Sequence, residues 1–136
     1  MIAEALLCLT LNVYFESRGE PFLGQVAVAE VTLNRVDDLR WPDTVCEVVY
    51  QPYQFSWTLE DQDPPADLIA FHRAKQAAEY AMENRSITAT HYHHKDIIPI
   101  WSVHPRMDYL FTIENHKFYF EMPQGKPNEQ SRRYTK

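Results

Sequence analysis

A helix that ends abruptly between two apolar segments constrains this chain more than any other feature. Before the stretch Leu11-Asn12-Val13-Tyr14-Phe15-Glu16-Ser17-Arg18-Gly19-Glu20-Pro21, apolar residues (Ala5, Leu6, Leu9) recur at three- and four-residue spacing and continue to Val13. That period predicts an amphipathic helix over about residues 3–18. Arg18 falls in its last turn, Gly19 where a left-handed cap belongs, and Pro21 where continuation fails. Glu16 is therefore placed at a helix C-terminus, where the macrodipole disfavours a carboxylate. Tyr14 and Phe15 beside it can desolvate it, and both effects raise a glutamate's pKa toward that of a general acid. The same residue could instead pair with Arg18 and solvate a helix end.

The 136 residues fit one domain with a real core. A net charge of -6 without a basic block argues against nucleic acid as a partner. No stretch approaches the roughly 20 apolar residues of a membrane span, so membrane insertion is not expected. An export leader is not expected, because Glu4 interrupts a short apolar run near the N-terminus. Cys8 and Cys46 lack metal-ligand spacing and are expected as buried reduced thiols.

A second helix is predicted over 22–37, with Val26, Ala29, Leu33 and Val36 on one face. Thr44 and Glu47 have capping-box spacing ahead of a short helix over 45–50. The alternation in 53–58 predicts a strand or extended segment. Asp63 is expected to cap a helix over 66–84 that turns Leu68, Phe71, Ala74, Ala78 and Met82 inward. A strand over 87–93 enters a histidine run, and 109–113 with 116–120 form a hairpin turning at Glu114-Asn115. The polar segment 123–136 is expected to be a mobile tail after a domain spanning 1–122. The expected class is α+β, a helical body with a small antiparallel β element.

Several stretches, in order, resemble the SleB-type cell-wall hydrolases, which include spore cortex-lytic enzymes and phage endolysins. They are Tyr14 to Pro21, Gly24-Gln25-Val26-Ala27-Val28-Ala29, Leu33-Asn34-Arg35-Val36, Pro42-Asp43-Thr44-Val45-Cys46, Gln54-Phe55-Ser56, Ala89-Thr90-His91-Tyr92-His93, Pro99-Ile100-Trp101 and His116-Lys117-Phe118-Tyr119. The resemblance implies a lysozyme-like fold acting on peptidoglycan glycan strands. It makes Glu16 the catalytic acid, with Ser17 where alanine is common in the family. It also implies a lytic transglycosylase, which leaves a 1,6-anhydro sugar. One carboxyl group suffices for that reaction, since the muramyl C6 hydroxyl attacks the anomeric carbon. A hydrolytic muramidase would pair two carboxylates about 5–9.5 Å apart. Glu20 is the second candidate, but the helix break between the two disfavours a fixed pair, and Glu20 beside Pro21 reads as a helix-end solvating residue.

Gln54, Phe55 and Ser56 suit a saccharide groove, with an amide, a ring face and a hydroxyl. His91 can donate and accept hydrogen bonds, and Tyr92 can orient the Glu16 carboxyl or a substrate acetamide. Tyr14, Arg18 and Trp101 complete the expected substrate-binding set. His91 and His93 would share a strand face that His116 could approach, which keeps a zinc amidase as an alternative from another reaction class. The favoured reading uses neither metal nor cofactor. A glycan-binding module without turnover is the non-enzymatic alternative. The expected setting is a monomeric phage or prophage endolysin, made in the host cytoplasm and released to the wall.

Overall fold

The computed structural model describes residues 2–52 and 54–124. Four helices form the body: α1 (Glu4–Ser17), α2 (Phe22–Val36), α3 (Val45–Val49) and α4 (Leu68–Glu83). Three strands complete it, β1 (His91–His94), β2 (Met107–Ile113) and β3 (His116–Glu121), with 3-10 turns at Ser56–Leu59 and Ile100–Val103. The sheet is antiparallel in the order β1-β3-β2, with Tyr92 opposite Phe118. The expected mobile tail lies outside the described residues from 125 onward, as does Tyr53.

Helix α2 is the spine, with eleven of its fifteen residues buried. Burial on that scale needs cover on every side, and α1, α3, α4 and β1 pack on it. Helix α4 meets α1 and α2 through Ala74, Ala77, Ala78 and Ala81, all fully buried, whose small side chains let the backbones approach. Asp67, not Asp63, caps it by accepting from the Ala70 N–H at 2.9 Å. The buried stripe runs through positions 74, 77, 78 and 81, and Leu68 and Met82 fall to its side, where both are exposed. Ala5 likewise faces outward, while α1 buries Cys8, Leu9, Thr10, Asn12 and Val13.

The break after α1 is built differently from a glycine cap. Gly19 is not left-handed; the Arg18 N–H reaches Tyr14 O at 3.2 Å and the Glu20 N–H reaches Ser17 O at 2.9 Å. The buried Gln25 side chain then donates to Glu20 O at 3.0 Å, fixing the angle between α1 and α2. The left-handed residue is Glu114, φ 47°, in the hairpin turn. Thr44 caps α3 as expected, accepting from the Glu47 N–H at 3.2 Å. Cys8 and Cys46 are not reduced thiols. Packing of α3 on α1 brings their Cα atoms to 5.3 Å and a disulfide joins them. The expected strand over 53–58 is replaced, over its described part, by a turn and the first 3-10 segment.

Candidate active site

Three polar side chains on α2 set the path of the chain between α4 and β1. Glu30 accepts from Ser86 and Ile87 N–H groups, the latter at 3.3 Å. Asn34 donates to Ile87 O and Ala89 O at 3.0 and 2.9 Å, and Arg35 Nε donates to Thr90 O at 2.7 Å. The extended segment 86–90 is thus held along the spine through both its N–H and its carbonyl groups. It delivers His91 and Tyr92 to the end of α1.

There a cleft of about 260 Å³ is lined by Glu16, Arg35, Gln54, Phe55, His91, Tyr92, Trp101, Met107 and Glu121. The Tyr92 hydroxyl donates to Glu16 Oε1 at 2.7 Å. Burial raises the Glu16 pKa, and the Tyr92 hydrogen bond and the Arg35 charge only partly oppose it. Tyr92 itself is pushed well above its ordinary value, first by burial and then by the Glu16 charge, so its proton stays on the phenol. With Oε1 occupied by that donor, Oε2 is the oxygen left to carry an exchangeable proton.

Arg35 forms the buried wall. Its Nη1 donates to Gln54 Oε1 at 3.1 Å, and its guanidinium lies 5.7 Å from the Phe55 ring centre. Burial lowers its pKa to about 10, which leaves it charged near neutrality. His91 sits between Trp41 and Trp101, at 5.9 and 5.0 Å between ring centres. Burial, then Arg35 and Arg40, depress it to about 3, so it presents a neutral imidazole. Glu121 is a second carboxylate in the cleft, tied to Arg40 Nη1 at 3.0 Å.

Of the residues expected to bind substrate, Gln54, Phe55, His91, Tyr92 and Trp101 therefore converge on Glu16. Tyr14, Arg18 and Ser56 are not among the lining residues. Tyr14 is buried in the body, and Arg18 turns to it rather than to Glu16, donating to Tyr14 Oη at 2.7 Å. On a helix, positions two apart point to different sides, so residues 14 and 18 cannot share the face of 16. Ser56 opens the exposed 3-10 turn. Sequence reasoning missed Arg35, Met107 and Glu121. Arg35 belongs to the Leu33-Asn34-Arg35-Val36 motif, and its position amid an apolar helix was the available signal.

His94 and His116 are cross-strand neighbours, 5.9 Å between ring centres, but the polar contacts of His93 and His116 lead elsewhere. His93 Nε2 meets Tyr119 Oη at 2.8 Å and its Nδ1 meets His94 O at 2.7 Å. His116 Nδ1 meets Glu20 Oε1 at 2.9 Å. Among the described residues no three His, Cys, Asp or Glu side chains form a metal-holding group. Glu20 is not the solvated helix end expected of it. It is buried, and it accepts from the Asn115 N–H at 3.0 Å and Asn115 Nδ2 at 2.8 Å as well as meeting His116.

The sequence profile of the Cell Wall Hydrolase family matches residues 19–119. This chain is a member of that family. The family match begins just past Glu16, which lies outside it. The chain is similar to the spore cortex-lytic enzyme of Bacillus cereus, 54% identical over 50 residues, which is 37% of this chain and 19% of that protein. The Bacillus subtilis spore cortex-lytic enzyme is 44% identical over 54 residues, 40% of this chain and 18% of the relative. These matches thus span less than a fifth of the relatives' length. The fold extends further. The catalytic domain of the germination-specific lytic transglycosylase SleB from Bacillus anthracis superposes with a TM-score of 0.67 at 30% identity, covering 87% of this chain and 96% of that one. The SleB catalytic domain from Bacillus cereus gives the same score and identity over 88% and 92%. This helical body with its three-stranded sheet thus matches the fold of those two SleB catalytic domains.

Proposed function

We propose that this cell wall hydrolase cleaves the bond between N-acetylmuramic acid and N-acetylglucosamine as a lytic transglycosylase, with Glu16 as its single acid and base. The observation that carries the reading is a half-buried carboxyl in a cleft, with its pKa raised by burial and one oxygen held by Tyr92. Protonated Glu16 gives its proton to the glycosidic oxygen as the bond to the anomeric carbon breaks. The muramyl C6 hydroxyl then bonds to that carbon, and its proton returns to Glu16. No water is consumed, and the product is an anhydro sugar. Gln54, Phe55, His91, Tyr92 and Trp101 hold the sugars in this reading, and Arg35 fixes Gln54. Residues 1–122 act as the catalytic unit, a monomer on glycan strands.

The setting proposed is the wall, outside the cytoplasmic membrane, reached as a phage or prophage lysin. The Cys8–Cys46 disulfide supports an oxidising space, where such bonds persist. One observation keeps a hydrolytic muramidase as the second reading, the presence of Glu121 in the Glu16 cleft. Its ion pair with Arg40 commits that carboxylate elsewhere, which favours the single-acid route. Digesting purified sacculi and weighing the fragments separates the two. Anhydro-muramic ends support the transglycosylase, whereas reducing ends, heavier by one water, support the muramidase.

A further inference from the structure

A larger cavity, of about 450 Å³, adjoins the cleft in the chain. Phe15, next to Glu16, and Trp57, two residues from Phe55, both line it. Its floor is aromatic. The Phe15 and Trp57 rings stack at 4.8 Å with 26° between planes, and Tyr50 meets Trp57 edge-on at 5.6 Å. The Trp57 indole N–H donates to Oδ1 of the fully buried Asn12 at 2.8 Å, which fixes the ring in place. The wall is the loop carrying Glu60, Asp61 and Asp63, all exposed, and no Lys, Arg or His is among the described lining residues. An immobile aromatic face under uncompensated carboxylates attracts an organic cation, through the ring quadrupole and through charge. A neutral sugar makes no use of that charge.

The geometry points to this cavity as the site that takes the primary ammonium group of a diamino acid in the peptide stem of peptidoglycan. The inference rests on the proposed peptidoglycan activity, and it makes the enzyme read the stem while it cuts the glycan. Cation recognition of this kind is worth roughly tenfold in affinity.

The test compares two soluble glycan substrates bearing stems, one with the side-chain amine free and one with it acetylated. Wild type should show a KM roughly tenfold lower for the free amine. A triple variant, Glu60→Gln, Asp61→Asn and Asp63→Asn, alters exposed loop positions and should show the same KM for both substrates. Equal KM values in wild type would overturn the proposal. So would a preference that survives unchanged in the triple variant, because the amine would then be read elsewhere. Calorimetry of the free stem tripeptide, with and without acetylation, on Glu16→Gln protein reads the site without turnover. Amine-dependent binding there, in a protein whose wild type cuts no glycan, would count against the proposed reaction and for this site.

Discussion

Glu16 and Glu20 lie four residues apart on either side of one helix break, and the fold makes opposite things of them. Glu16 faces a cleft, receives one hydrogen bond from a phenol, and has its pKa raised by burial. Glu20 is also buried, which by itself raises its pKa, but two Asn115 donors and His116 outweigh that and the net shift is downward. The first carboxyl is poised to hold a proton. The second is a staple that ties the end of α1 to the hairpin turn and tolerates none. Spacing does not separate the two roles; the number of donors around each group does.

The comparison breaks most sharply at Glu16. Glu16→Gln keeps the shape and the Tyr92 bond but cannot deliver a proton, so turnover on sacculi should fall by roughly 10²–10⁴-fold. Its stability should move the other way. A raised folded-state pKa means that stability is lost as pH rises through it, so the neutral amide should raise the melting temperature near pH 7. That gain should vanish at acid pH, where Glu16 is itself protonated. Calorimetric scans at both pH values check the sign.

Glu20→Ala should do the reverse. It leaves the Asn115 N–H, the Asn115 amide and His116 without their acceptor, a loss on the order of 3 kcal/mol by denaturant unfolding. Turnover per folded molecule should be largely kept. Acid should find the same staple. Glu20 is held below its usual 4.5, and burial holds His116 below 6.5 despite Glu20's pull. Stability from each is complete above those usual values and is lost as pH falls through the lower folded ones. In the Glu16→Gln background, free of the opposing Glu16 contribution, the melting temperature should therefore drop below about pH 6.5 and faster below 4.5. Adding Glu20→Gln should flatten the lower part.

Tyr92→Phe sharpens the Glu16 side. The phenol is a pull toward ionisation, and without it the Glu16 pKa should rise further. The alkaline limb of the kcat/KM profile should then shift to higher pH. The smallest effect is expected at Gly19. A Cβ there meets nothing within 4 Å and the backbone is not left-handed, so Gly19→Ala should leave activity alone and add about 0.4–1 kcal/mol of stability.

The positions of the helix break and of the hairpin were legible in local period and turn chemistry, whereas the cap expected at Gly19 does not form and α2 is buried nearly all round, not on one face alone. The place of Glu16 in the last turn of α1 was legible from the local period. Tyr14 and Arg18 lie off the cleft: motif adjacency ignores rotation about the helix axis. The disulfide depends on how α3 lies on α1, which no spacing between positions 8 and 46 discloses. Glu20 looked solvated because its partners, Asn115 and His116, come from the far end of the chain. Arg35 and Glu121 entered the cleft for the same reason, one from the spine and one from the last strand.

The central claim is that the fold drives these two carboxyls apart in acidity. Side-chain carboxyl resonances of Glu16 and Glu20, followed by carbon NMR through a pH titration of the wild-type protein, read it directly. Glu16 should titrate above 4.5 and Glu20 below it. Coincident titrations, or a reversed order, would contradict the account.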